Sequence, residues 1–269
     1  MAATRTVAAR SRAFGRARDV LVMRVILVAA ALVLWEALAL SGLLFEGIVP
    51  RLSVIGQGLV GLLASPAFYA NLQTTAGEVA TAVVIGGTAG LLVGLLLGVR
   101  RFLGRAFEPY LYYLGPTPKI IFFPIMIMWF GTGPGSKIAM GAVSCFFPVA
   151  LSVAAGLRQI DQVLIRVGRS FRANPVQMAL KIYLPAMREP VVNSFRLGLG
   201  VAIIGVLLAE TKLSNRGLGF MVIDTYSHFD MPAMYALIIV IFALAVALNT
   251  ALSQLASGGS PASGTNALN

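Results

Sequence analysis

The segment "VLIRVGRSFRANPVQMALKIYLP", residues Val163–Pro185, carries Arg166, Arg169, Arg172 and Lys181 and no acidic residue. On either side the chain turns apolar. Ile138–Leu157 holds no charged residue, and Pro190–Ala209 holds only Arg196. Each flank is long enough to cross the roughly 30 Å of hydrocarbon in a bilayer, which takes about 20 residues of helix. A basic segment between two such stretches reads as a loop joining two membrane-spanning helices.

Further out the pattern repeats. Val79–Val99 and Met231–Leu255 are free of charge, and Val25–Leu44 carries only Glu36. Ala106–Phe130 is long enough to span but contains Lys119 and four prolines, Pro109, Pro116, Pro118 and Pro124. It is expected to be irregular. The sequence is 58% hydrophobic and 12% charged, against about 45–50% and about 25% in soluble domains. The expected fold class is therefore all-α integral membrane, with about six transmembrane helices. Cys145 is the only cysteine, so no intramolecular disulfide can form, and a single His228 offers no histidine metal cluster. The first apolar run is too long for a cleaved signal sequence and is expected to be retained as a span.

A net charge of +11 would suggest nucleic acid in a soluble protein, but its placement points to the bilayer. With the N-terminus in the cytoplasm and six spans, fifteen basic residues fall on cytoplasmic segments and four outside: Arg51, Lys137, Lys212 and Arg216. That asymmetry follows the positive-inside rule and puts both termini in the cytoplasm. The expected organisation is a basic segment over residues 1–24, a transmembrane domain over 25–255 with a cytoplasmic loop at 158–189, and a disordered small-residue tail over 256–269. Ser41–Gly77 is expected outside, with a short interfacial helix around Val54–Leu63. Gly86, Gly90, Gly94 and Gly98 recur every four residues, a smooth ridge suited to close helix packing within or between subunits.

The loop itself predicts two short helices. Asp161 can cap the first, expected to run through Arg172, with Val163, Leu164, Val167 and Phe171 on one face. Asn174-Pro175 opens the second, with Gln177 placed to complete a capping box. Its apolar face is expected to hold Val176, Ala179, Leu180 and Tyr183, and Pro185 and Pro190 punctuate its end. Positive charge alone is explained by a loop lying on anionic lipid. Two capped helices with apolar faces fit a docking element for a cytoplasmic partner.

At these residues the chain resembles the permease subunits of bacterial ABC importers, whose loop motif ends in Ile-x-Leu-Pro, here Ile182-Tyr183-Leu184-Pro185. The upstream motif departs: its Glu-Ala-Ala positions fall on Arg166, Val167 and Gly168, and its glycine on Arg172. Glu108–Lys137, Phe146–Asp161 and Leu208–Val222 are similar to the nitrate/sulfonate/taurine type. The resemblance implies a type I ABC importer permease fold in a bacterial inner membrane. It implies two permease subunits, as a homodimer or heterodimer, and an external or periplasmic substrate-binding protein. It also implies ATP-binding cassette ATPase subunits that dock on the loop through Val163, Val167, Phe171, Arg172, Val176, Leu180, Ile182, Leu184 and Pro185. The expected cargo is a small solute such as nitrate, a sulfonate, taurine or a thiamine precursor.

The chain is expected to bind no cofactor and to be no enzyme, with ATP and magnesium held on the partner ATPase. "GTGPGSK" (Gly131–Lys137) lacks the phosphate-loop spacing, because Ser136 stands where the second glycine belongs. It reads as a tight turn. The rival readings are a stand-alone secondary transporter or channel and an intramembrane enzyme. Few ionisable groups in the spans disfavour the first, and the lack of paired carboxylates or a Ser/Lys dyad disfavours the second. For the substrate path the expected residues are Pro118, Lys119, Trp129, Arg196 and Glu210. Lys119 suits an anion or snorkels to headgroups, and Glu210 ends span five at the outer interface.

Overall fold

The computed structural model describes residues 2–42 and 47–257. Of the tail expected to be disordered over 256–269, Ala256 and Ser257 instead continue the last helix and the rest lies outside the described residues, as do the side chains of Arg5, Arg10, Arg12, Arg16 and Arg18. Every regular element among the described residues is helical. Helix α1 (Ala2–Leu40) stands at the rim, its described side chains largely exposed. Two polar groups fasten it. The Trp35 indole N–H donates to the Pro50 carbonyl at 3.1 Å, and the Glu36 carboxylate accepts from the Leu52 N–H at 2.9 Å. Glu36, the one charge in the first apolar window, thus faces the N-terminus of α2 (Leu52–Ala64), where a negative group is favoured. Helix α2 covers the short helix expected around Val54–Leu63 and packs on the last helix of the chain.

Helix α3 (Pro66–Val99) starts well before the uncharged window. Its 34 residues span about 51 Å, so it projects beyond the hydrocarbon. The third expected span is not one helix. Helix α4 (Arg101–Leu114) is followed by a 3-10 turn (Lys119–Phe122) and α5 (Phe123–Phe130), and the two halves meet at 91°. Pro116 and Pro118 supply the break, because neither has an N–H to continue the helix ladder. Carbonyls freed there need donors inside a membrane. The Thr117 hydroxyl donates to the Leu114 carbonyl at 2.6 Å, and the Lys119 ammonium donates to the Gly115 carbonyl. Lys119 also stands 5.2 Å from the centre of the Phe147 ring.

Helix α6 (Pro134–Arg158) is the axis of the domain, packed between α3 and a later span. The glycine ridge packs within the chain. A methyl group at Gly86 would overlap the Ala142 carbonyl oxygen, one at Gly90 would lie 2.8 Å from that of Phe146, and one at Gly94 2.6 Å from that of Ala150. Two four-residue repeats thus interlock, glycine against backbone. Helices α7 (Gln162–Ser170), α8 (Pro175–Met178) and α9 (Leu184–Ala186) form the basic loop. Next come the spans α10 (Arg188–Glu210) and α12 (Met231–Ser257), with the short α11 (Leu218–Ser227) between them. Cys145 is wholly buried on α6, where Gly198 of α10 presses against its sulfur.

Candidate functional site

The first loop helix ends earlier than its apolar pattern suggests, at Ser170 rather than Arg172. Asp161 caps its start, accepting from the Val163 N–H at 2.8 Å. Its end is a Schellman turn. The Ala173 N–H reaches back to the Gly168 carbonyl at 3.1 Å, and the Arg172 N–H reaches the Arg169 carbonyl at 2.9 Å. Arg172 then takes φ +50°, the left-handed conformation that glycine adopts at least cost. This gives a backbone reason for glycine at the corresponding family position, and a backbone cost for arginine here of about 1 kcal/mol.

The second helix opens with the expected capping box. The Gln177 N–H donates to the Asn174 side chain at 2.8 Å, and the Asn174 N–H donates to the Gln177 side chain at 3.0 Å. It then widens into a π-turn over Ala179–Tyr183 before α9. Pro185 explains the widening, since its ring would strike the Lys181 carbonyl in a regular helix. The helices close on each other at Gly168. A methyl group there would overlap the Ile182 side chain and stand 2.6 Å from the Met178 sulfur.

That closure sorts the expected docking residues. Met178 and Tyr183 are buried at the base of the loop, so Tyr183 does not belong to the outward face expected for it. Ile182 is half-buried against Gly168 of α7, Leu184 is half-buried, and Pro185 is exposed. Val163, Leu164, Val167 and Val176 point outward, as do Phe171 (83% exposed) and Leu180 (60% exposed). Arg172 stands among them, also exposed. An exposed apolar surface carried on a capped, closed pair of helices has the anatomy of an interaction site.

The residues expected on the substrate path do not converge. Pro118 and Lys119 belong to the break between α4 and α5, and Trp129 is exposed at the far end of α5. Arg196 on α10 donates to the Asn249 side chain on α12 at 2.6 Å, and both line an open cavity of about 790 Å³ between those helices. Glu210 does end α10, but it does not face water. It is 1% exposed.

Around Glu210 lies a polar cluster that the apolar windows conceal. Its carboxylate accepts from the Thr75 hydroxyl and from the Gly219 N–H, both at 2.7 Å. The Leu218 N–H donates to Thr75 at 2.8 Å, and the Gly217 N–H to the Asn71 side chain at 2.6 Å. The first N–H groups of α11 are thereby tied to α3 and α10. Gly217, at φ +105°, has no room for a side chain against the Glu210 carboxylate. Glu78 lies buried beside Glu210, with its Oε2 lacking a hydrogen-bond partner among the described residues. Lys137 is buried near this cluster, but its ammonium bonds elsewhere. It is 3% exposed and donates to the Thr132 and Gly133 carbonyls at 2.5 and 3.0 Å. In the sequence Lys137 reads as an exposed loop charge, and Glu78 lies one residue outside an apolar window. Only a pairing of charges across distant spans could have signalled this cluster.

Residues 86–257 match the family model described as binding-protein-dependent transport system inner membrane component. The chain is 29% identical to the putative aliphatic sulfonates transport permease protein SsuC of Bacillus subtilis, over 84% of this chain and 82% of that protein. It is 32% identical to the taurine transport system permease protein TauC of Escherichia coli, over 62% of this chain and 60% of that protein. It is also 25% identical to the nitrate import permease protein NrtB of Synechococcus elongatus, over 78% of each. A chain of the methionine ABC transporter MetNI, solved in an inward-facing form, superposes with a TM-score of 0.61 at 19% identity. The match covers 74% of this chain and all of that one, so the fold is that of a type I ABC importer permease. The chain belongs to the family of binding-protein-dependent transport system inner membrane components, and it is a multi-pass permease subunit of an ABC importer.

Proposed function

We propose that the chain is one of two permease halves that import a small solute carrying an anionic group, of the sulfonate, taurine or nitrate kind. ATP is hydrolysed on separate ATPase subunits, docked on the loop at Val163–Pro185, and an external binding protein delivers the solute. The loop faces the cytoplasm, with both termini. The observation that carries this reading is the outward apolar surface of Val163, Val167, Phe171, Val176 and Leu180, built on a closed pair of helices yet left exposed. Relatives named for sulfonates, taurine and nitrate support such a solute.

Within the membrane, Arg196 with Asn249 is a polar pair that has open volume beside it. A charged side chain in a span faces protein or a wet cavity, so we place Arg196 on the solute path. Lys119 and Glu210 act through the backbone they hold, at the helix break and at the start of α11. The test is reconstitution into vesicles with an ATPase and a binding protein encoded beside it. ATP hydrolysis stimulated by the loaded binding protein, with accumulation of the solute, is expected. Uptake that proceeds without ATP or an ATPase would overturn the reading in favour of a secondary transporter.

A further inference from the structure

A cavity of about 770 Å³ opens at the end of α3, between α4, α6 and α7. Arg101, Arg105, Arg158 and Arg169 line it, with Glu108 as the one acidic residue. Glu108 is buried and already paired with Arg158. Among the described residues, Arg101, Arg105 and Arg169 have no acidic partner. Unpaired like charges around one concavity repel each other and raise the local concentration of anions.

The ends of α3 and α6 set the depth of this cavity. The helix that contributes Arg101 and Arg105 also exposes Phe102, Phe107, Tyr110 and Tyr113. Val99 ends α3 and Arg158 ends α6, so the cavity lies at the membrane–water boundary, where aromatic rings such as that of Phe102 settle. From there α4 runs inward along α6, from Glu108 at Arg158 to Gly115 beside Phe147. The cavity therefore opens where lipid phosphates are concentrated, and basic pockets between spans on the cytoplasmic side take anionic headgroups.

We propose that this cavity binds a phosphate group, supplied by an anionic lipid headgroup or by free phosphate. Arg101 and Arg105 hold it, and the Glu108–Arg158 pair keeps the cavity wall in place. The proposal rests on the membrane placement of these span ends and not on ATPase docking, so its failure leaves the transport reading intact. The test uses the full chain purified in mild detergent. Native mass spectrometry would compare retained phosphatidylglycerol with phosphatidylcholine, with inorganic phosphate as competitor. Preferential retention of phosphatidylglycerol, displaced by phosphate, names the lipid as the source. Phosphate binding without lipid preference names the free anion. Arg101→Gln combined with Arg105→Gln is expected to weaken either by roughly 25-fold, while Lys212→Gln at a distant site leaves it unchanged. Should the double variant fold poorly, the salt dependence of retention by the unmodified chain decides, with strong weakening between low and high salt expected. Equal retention of both lipids with no phosphate binding, or an unchanged double variant that is well folded, would overturn the proposal. So would occupancy that appears only when an ATPase is bound.

Discussion

Two regions of the molecule carry its polar and interactive chemistry, and they are built in opposite ways. At Glu210, almost every group finds its partner within the chain: Thr75, Gly219 and Leu218 form one closed network with its carboxylate, and Lys137 nearby is held by the Thr132 and Gly133 carbonyls. On the loop, the backbone is equally well satisfied, by Asp161, Asn174 and the Schellman turn, yet the side chains of Val163, Phe171, Val176 and Leu180 face outward. A region complete in itself is scaffold. A region with a finished backbone and an unfinished surface is waiting for a partner.

The sharpest break of that contrast is a charge placed on the loop surface. Leu180→Asp is expected to leave the protein inserted and folded while abolishing ATPase association and uptake. A carboxylate stranded in a desolvated contact costs several kcal/mol, and each 1.4 kcal/mol is about tenfold in affinity. Co-purification and vesicle uptake check it, and normal uptake would reduce the loop to a lipid-facing surface. The converse is expected at the scaffold. Glu210→Ala strands the Thr75 hydroxyl and the Gly219 N–H, a loss of about 3 kcal/mol for two buried donors. Thermal unfolding in detergent should show a lower midpoint, with little loss of ATPase binding by the protein that remains folded.

A smaller effect is expected at the glycine ridge. Gly90→Val forces bulk against the Phe146 carbonyl and should destabilise by about 2 kcal/mol. The same assay at Gly77, where an added methyl group would have nothing within 4 Å, should register far less when it becomes alanine. The smallest expected effect separates backbone from contact. Arg172→Gly removes a strained left-handed arginine and should steady the loop by about 1 kcal/mol. Hydrogen exchange at the Ala173 amide should slow. If docking on the native ATPase weakens despite that, the arginine side chain belongs to the contact.

Much of this is legible in the residues. The uncharged windows locate α3, α6 and α12, and Asp161 and Asn174-Pro175-x-Gln177 announce both loop helices, because caps are local chemistry. The break at Pro116 and Pro118 is visible as irregularity, but its 91° angle is not, since angle depends on what α5 packs against. Glu78 and Lys137 stay hidden for a related reason. Each looks like an ordinary charge near a span end, and only the packing of α3, α6 and α10 brings them to Glu210. Tyr183 likewise fits the apolar face by periodicity, until the π-turn rotates it inward.

The contrast comes down to whether the loop surface is covered by a partner and the Glu210 region is not. Leu180→Cys offers the direct measurement, because the native Cys145 is fully buried and should not react. In membranes holding the permease alone, a maleimide probe is expected to label the introduced cysteine rapidly. With the ATPase bound, labelling should fall by an order of magnitude or more, while a cysteine introduced at Lys212, beyond the end of α10, should label equally in both. Equal labelling of the Leu180 position with and without bound ATPase would contradict docking on this surface.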